Sequence, residues 1–170
     1  LANFSHKDVI LGDIEQAINH IYRFGGSWEK VKPLTVGQHS LLCMRLAELD
    51  GADTLTQMSC LTHDFGEAYV GDMCTAIKKL LGDSWDNFAK PIENIVDEVC
   101  NPWGMVDHDT IKHYDNLSFA IECDCIFKRK PVTAKVYRKM FHDVASYGLT
   151  PPVQHNYFRL QRLIEQRKAA

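Results

Sequence analysis

The sequence predicts an all-α fold. Apolar residues recur at three- and four-residue spacing along nearly the whole chain. The only β-branched run of note, Val9-Ile10, is too short to seed a sheet. Glycine, asparagine and proline punctuate the periodic segments where a chain leaves the α region. With 45% hydrophobic and 24% charged residues, the 170 residues have the composition of a globular domain. A chain of this length buries roughly 70% of its unfolded surface, so a single domain over 1–170 requires neither disulfides nor a structural metal. A metal, if bound, is expected to be functional.

The elements follow in order. A helix is expected over about 12–23, before the segment FGGSWEKVKPL (24–34), whose glycines, tryptophan and lysines suit a loop closing over a ligand. The next, about 35–49, carries Val36, His39, Cys43 and Leu46 on one face and stops at Gly51. A third, about 53–66, buries Leu55, Met58 and Thr62 and reaches His63-Asp64. Glycines then break the chain before short and long helices at about 75–81 and 84–100. Pro91 is expected to kink or split the longer one, which Asn101-Pro102 and Gly104 end. A helix at about 107–128 is followed by two at about 132–146 and 151–167, separated by Gly148 and Pro151-Pro152. No repeat or low-complexity tract interrupts this order.

Nineteen Lys and Arg against 22 Asp and Glu give a net charge of -3, which lacks the electrostatic footprint of a protein that wraps a nucleic-acid polymer. The six cysteines (Cys43, Cys60, Cys74, Cys100, Cys123, Cys125) form no C-x-x-C pair and read as small buried hydrophobes in a reducing compartment. The opening residues lack a signal-peptide pattern and no segment is long enough to span a bilayer, so the expected location is cytoplasmic, away from membranes. P-loop, H-E-x-x-H and G-x-S-x-G motifs are absent.

Function is sought in polar residues on apolar faces. His39 points into the core, either as a hydrogen-bonded core histidine or as a metal ligand. His63 and Asp64 project from one inner turn; they are either a helix-end histidine with a capping or salt-bridged aspartate, or a ligand pair for a divalent ion of borderline hardness. Asp115 and Glu122 interrupt a stripe that includes Ile111, Ser118, Phe119 and Ile126. Their burial would cost several kcal/mol unless a cation or basic residue opposes them, and a buried arginine is one such partner for Asp115. Glu67, Asp72 and Lys78 follow the His-Asp pair, as a solvated charged loop or as proton-transfer and phosphate-neutralising groups.

Together, His39, His63-Asp64 and Asp115 give the H…HD…D order that resembles the HD phosphohydrolase superfamily, with 24 residues from His39 to His63 and 51 from Asp64 to Asp115. The string HDFGEAYVGDMCTAIK is similar to the HD-x-x-E-x-x-x-x-D-x-x-T-P-x-K stretch of bacterial 5'-deoxynucleotidases and their phage and prophage relatives. DIEQAINHIYRFGG, LTVGQHS and IKHYDNLSFAIECD resemble further segments of the phage branch, so the likeness covers about residues 12–128.

The resemblance implies a compact HD-domain helical bundle holding a divalent metal ion (Co, Mn, Zn or Mg) on His39, His63, Asp64 and Asp115. It implies Glu67 and Asp72 as catalytic carboxylates, and Arg23 and Lys78 as phosphate-binding residues. Ala76 replaces the proline of the T-P-x-K motif, and Phe24 stands where the bacterial enzymes carry a tryptophan against the deoxyribose. Phe24 and Trp28 are the expected base- and sugar-binding residues. The implied activity is hydrolysis of a small-molecule deoxyribonucleotide by metal-activated water, foremost dATP to tripolyphosphate, also accepting dADP and dAMP. A monophosphate-specific 5'-deoxynucleotidase is the alternative, and a degenerate HD module that binds a nucleotide or partner is the non-enzymatic one. A homo-oligomer, a dimer or trimer of dimers, is also implied, in the host cytoplasm if the chain is phage-encoded.

Overall fold

The computed structural model describes residues 3–26, 33–127 and 134–169. These residues form a helical bundle: α1 (Leu11–Ile18), α2 (Val36–Leu49), α3 (Thr54–Thr62), the single turn α4 (Glu67–Val70), α5 (Thr75–Leu81), α6 (Asp83–Cys100), α7 (His108–Phe127), α8 (Lys135–Ala145) and α9 (Val153–Ala169). Among the described residues there is no named strand; Tyr22 and Thr35 form one isolated antiparallel bridge. No described helix is long and apolar enough to cross a membrane.

The bundle is organised around α2. Only Arg45, Glu48 and Leu49 of this helix escape burial, because α3, α7 and α8 pack around it. A helix buried on nearly every side, with its buried Gln38, His39 and Ser40 among apolar neighbours, lies at the centre of the bundle. Leu41 and Leu42 are fully buried, as are Met58, Leu61 and Ile121 on the neighbouring helices, and each such side chain contributes about 1.5–3 kcal/mol through lost contact with water. The start of α2 is fixed by a capping box in which Gln38 N donates to Thr35 Oγ1 at 3.1 Å and Thr35 N donates to Gln38 Oε1 at 2.8 Å. Gln38 Nε2 also donates to the carbonyls of Val144 and Ala145 at the end of α8.

Several boundaries differ from the expected ones. The first helix stops at Ile18 rather than near residue 23. The chain beyond it pairs instead with the residues before α2: Arg23 N donates to Leu34 O at 2.8 Å and Val36 N to Ile21 O at 3.0 Å. The third helix ends at Thr62, with His63 as its C-cap. Residues 63–66 turn into α4, and Gly66 is required there because a Cβ would lie 2.8 Å from Glu93 Cγ and 3.3 Å from its Cα. α6 is not split at Pro91. Pro91 and Asn87 are both exposed, so water can reach the carbonyl that the proline leaves without a donor. Among the cysteines, Cys43, Cys60 and Cys100 are buried as expected, whereas Cys74 is exposed and Cys123 and Cys125 are half-buried.

Candidate metal centre

Two histidines and two aspartates converge where α2, the end of α3 and α7 meet. His39 Nε2 lies 3.2 Å from Asp115 Oδ1 and 3.5 Å from Asp64 Oδ2, and His63 Nε2 lies 3.3 Å from the same Asp64 oxygen. Donors that share one ion at about 2.1 Å stand roughly 3.0–3.4 Å apart in octahedral or tetrahedral arrangements, so these separations fit a common divalent ion.

The far side of each imidazole supports the same assignment. His39 Nδ1 donates to Glu122 Oε1 at 2.6 Å, and His63 Nδ1 donates to the Cys60 carbonyl at 2.9 Å. Each ring then presents Nε2 to the cluster, because an acceptor bonded to Nδ1–H fixes the tautomer and orientation of a metal-binding histidine. His63 Nε2 is buried without a hydrogen-bond partner; its approach to Asp64 is close but poorly aligned. Cys43, one turn after His39, adds a sulfur 3.6 Å from His39 Nε2. The donor atoms of His39, Cys43 and His63 all lie within 4.8 Å of one another, a buried cluster capable of holding a metal ion.

Without an ion, protons occupy this cluster. Burial, the largest influence on His63, disfavours its charged form, but the neighbouring Asp64 outweighs it and the pKa rises to about 9. Burial and Arg23 also oppose a charged His39, yet the acidic groups around it, Cys43, Glu122 and Asp115, hold it well above the ordinary value. For Asp64, burial acts upward but His63, His39 and Arg23 together hold it far below the usual carboxylate range. Asp115 is depressed likewise, burial being outweighed by His39 and Lys112. A divalent cation would replace those protons with charge of the same sign.

Glu122 has the opposing charge that its burial demands. It is fully buried, and its Oε1 accepts from His39 Nδ1 and from Ser118 Oγ at 3.1 Å while Oε2 accepts from Arg23 Nε at 3.1 Å. Asp115 is opposed by His39 and by Lys112, on its own helix, rather than by a buried arginine. Arg23 sits at the head of the turn Arg23–Gly26, mostly buried, with Nη1 3.9 Å from Asp64 Oδ2. Its guanidinium lies 5.4 Å from the centroid of the Phe24 ring. Phe24 adopts φ +57°, a left-handed conformation that costs a non-glycine residue about 1 kcal/mol or more. That turn sets its ring against Phe127 at 5.4 Å and Phe119 at 6.0 Å.

Glu67, the first residue of α4, is 7% exposed, and its Oε2 has no partner. Burial, then the charges of Asp64 and Asp72, push its carboxyl up to about 9. Lys78 Nζ is 3.9 Å from Glu67 Oε1 and 5.5 Å from the centroid of Trp85. Asp72 lies half-buried in the loop after α4, where its charge acts on both Glu67 and Arg23. Trp28 lies outside the described residues. Sequence reasoning missed the sulfur of Cys43 and two acids of α6. Glu93 packs on Gly66, and Asp97 is raised to about 6 by burial and then by Glu93. Their signals are the four-residue step from His39 to Cys43 and the same step between the two acids.

No family model matches the chain. It is 30% identical over 118 residues to the uncharacterized protein YfdR of Escherichia coli (strain K12), an alignment covering 68% of this chain and 60% of that protein. The chain thus spans less than two thirds of the length of the curated relative it matches.

Proposed function

We infer that this chain is a metal-dependent phosphohydrolase of the HD type acting on deoxyribonucleotides, with dATP as foremost substrate and tripolyphosphate as product. The observation that carries the reading is the convergence of His39, His63, Asp64 and Asp115, with each imidazole held through Nδ1 so that Nε2 faces the cluster. An ion held there supplies Lewis acidity toward a phosphoryl oxygen and makes water nucleophilic at neutral pH. Glu67 retains its proton at neutral pH and can deliver it to the leaving oxygen. Lys78, beside Glu67, and Arg23, beside Asp64, can neutralise phosphate oxygens as charge shifts during cleavage. Asp72 supports Glu67 through its negative charge, which helps to keep that carboxyl protonated, and it adds to the acidic surroundings of Arg23. Phe24 and Trp28 are assigned to base and sugar, and the choice of dATP rests on the resemblance of the DIEQAINHIYRFGG and HDFGEAYVGDMCTAIK segments to the phage branch.

Product analysis with Co²⁺ or Mn²⁺ across a panel of nucleotides tests this. Tripolyphosphate from dATP is the expected result. Inorganic phosphate from dAMP with dATP untouched would make the protein a 5'-deoxynucleotidase, and metal binding without hydrolysis of any nucleotide would make it a binding module.

A further inference from the structure

We propose that the Cys43 sulfur is a ligand of the ion in this cluster, and that it makes the centre selective for thiophilic divalent ions, Zn²⁺ and Co²⁺, over Mg²⁺ and Mn²⁺. The proposal rests on the reading of the cluster as a metal centre and is independent of the substrate. Cys43 follows His39 by four residues on α2, so both side chains leave the same face of the helix. The thiol is 1% exposed, and its Sγ lies 3.6 Å from His39 Nε2, the nitrogen that faces Asp64 and Asp115. A nitrogen at about 2.05 Å and a sulfur at about 2.3 Å from one ion stand roughly 3.1 Å apart at a right angle and about 3.8 Å apart at about 120°, so the observed 3.6 Å would fit both donors in a five-coordinate shell with His63, Asp64 and Asp115.

The second observation is His63 Nε2, a buried atom without a hydrogen-bond partner that lies in the same cluster of donors, 3.3 Å from Asp64 Oδ2. The sulfur is nearer to His39 Nε2, at 3.6 Å, than to the Tyr114 carbonyl, at 3.9 Å, so the closer of these two polar neighbours is the nitrogen that faces the aspartates. The bond forms between the thiolate and the ion, and the thiol proton passes to solvent, one for each ion bound. A sulfur donor adds little for Mg²⁺ or Mn²⁺, which favour oxygen, and much for Zn²⁺ or Co²⁺. Selectivity therefore follows from this one side chain.

Cobalt spectroscopy tests the assignment without reference to turnover. Protein stripped of metal by a chelator is titrated with CoCl₂. The wild type should show visible d–d bands together with a near-ultraviolet sulfur-to-cobalt charge-transfer band. Cys43→Ala should keep the d–d bands, lose the charge-transfer band and lower the preference for Zn²⁺ over Mn²⁺ by about tenfold or more. Should that variant fail to fold, Cys43→Ser is measured in its place, and Cys60→Ser controls for another buried thiol of the same core cluster. d–d bands without charge transfer in the wild type, or a charge-transfer band that survives at Cys43→Ala, would overturn sulfur ligation while leaving the metal centre intact. Absence of any cobalt spectrum would take down the metal reading with it.

Discussion

His39 Nδ1 and Glu122 Oε1 lie 2.6 Å apart with both side chains fully buried, so one carboxylate sets the orientation of the imidazole that faces Asp64 and Asp115. Its second oxygen holds Arg23. Glu122 thereby ties the candidate metal centre to the candidate phosphate-binding residue through two geometrically distinct hydrogen bonds.

Glu122→Gln should therefore weaken metal binding by about 10–100-fold, the usual effect of removing an acceptor behind a metal-bound histidine. The amide can accept at one atom only, so either His39 or Arg23 loses its partner. Competition with a chromophoric chelator measures the affinity; an unchanged constant would reduce Glu122 to a packing role.

Metal affinity should depend steeply on pH. His63 has a folded-state pKa of about 9 without the ion, so at neutral pH a proton must leave before Nε2 can bind. Binding is therefore strengthened as pH rises and lost as it falls, by at least about tenfold per unit between about pH 6.5 and about pH 8.5. Cobalt titrations over that range, with proton release measured in parallel, check the sign; a flat profile would contradict it.

Glu67→Gln should retain the metal and lose turnover by about 100-fold, the contribution of a positioned proton donor. Because burial and the charges of Asp64 and Asp72 raise Glu67 to about 9, its protonated form is the one present at neutral pH. Turnover of the wild type should fall on the alkaline side, and the variant should lack that limb. Equal turnover in the two proteins, at matched metal content, would remove Glu67 from catalysis.

Asp97 makes a prediction about stability. Burial and Glu93 raise its carboxyl from 3.8 to about 6, so the folded state holds the proton more tightly than the unfolded one. The contribution is most favourable below the unfolded value and declines as pH rises through about 6. Asp97→Asn should therefore raise Tm at pH 7 by about 2–4 °C and leave it nearly unchanged near pH 4. A lower Tm at pH 7 would show that the carboxylate is held by an interaction its neighbours do not reveal.

The helices were legible because their signals are local: the apolar stripe of α2 and the glycine and proline stops. The early end of α1 was not, since residues 21–23 are drawn out of helix by backbone bonds to residues 34–36, a pairing that periodicity does not encode. In the candidate site, His39 and Glu122 stood out as polar residues on buried faces, and the structure supplies each as the other's partner. Cys43 did not, because a cysteine on an apolar stripe is equally at home as a hydrophobe. Glu93 and Asp97 were missed for the opposite reason. Acids on a helix that also carries Asp83, Asp86 and Glu98 look like a solvated face until the turn at Gly66 is seen to pack against one of them.

Gln38 links two distant parts of the chain, since it closes the cap of α2 through Thr35 while its amide group bonds the last carbonyls of α8. The following residue is His39. The first turn of α2 and the last turn of α8 should consequently open together as one cooperative unit. Backbone amides at residues 38 and 39 would then share an exchange rate with those near residue 145, and a disturbance on the outer surface of α8 would reach the imidazole by a route containing no substrate at all.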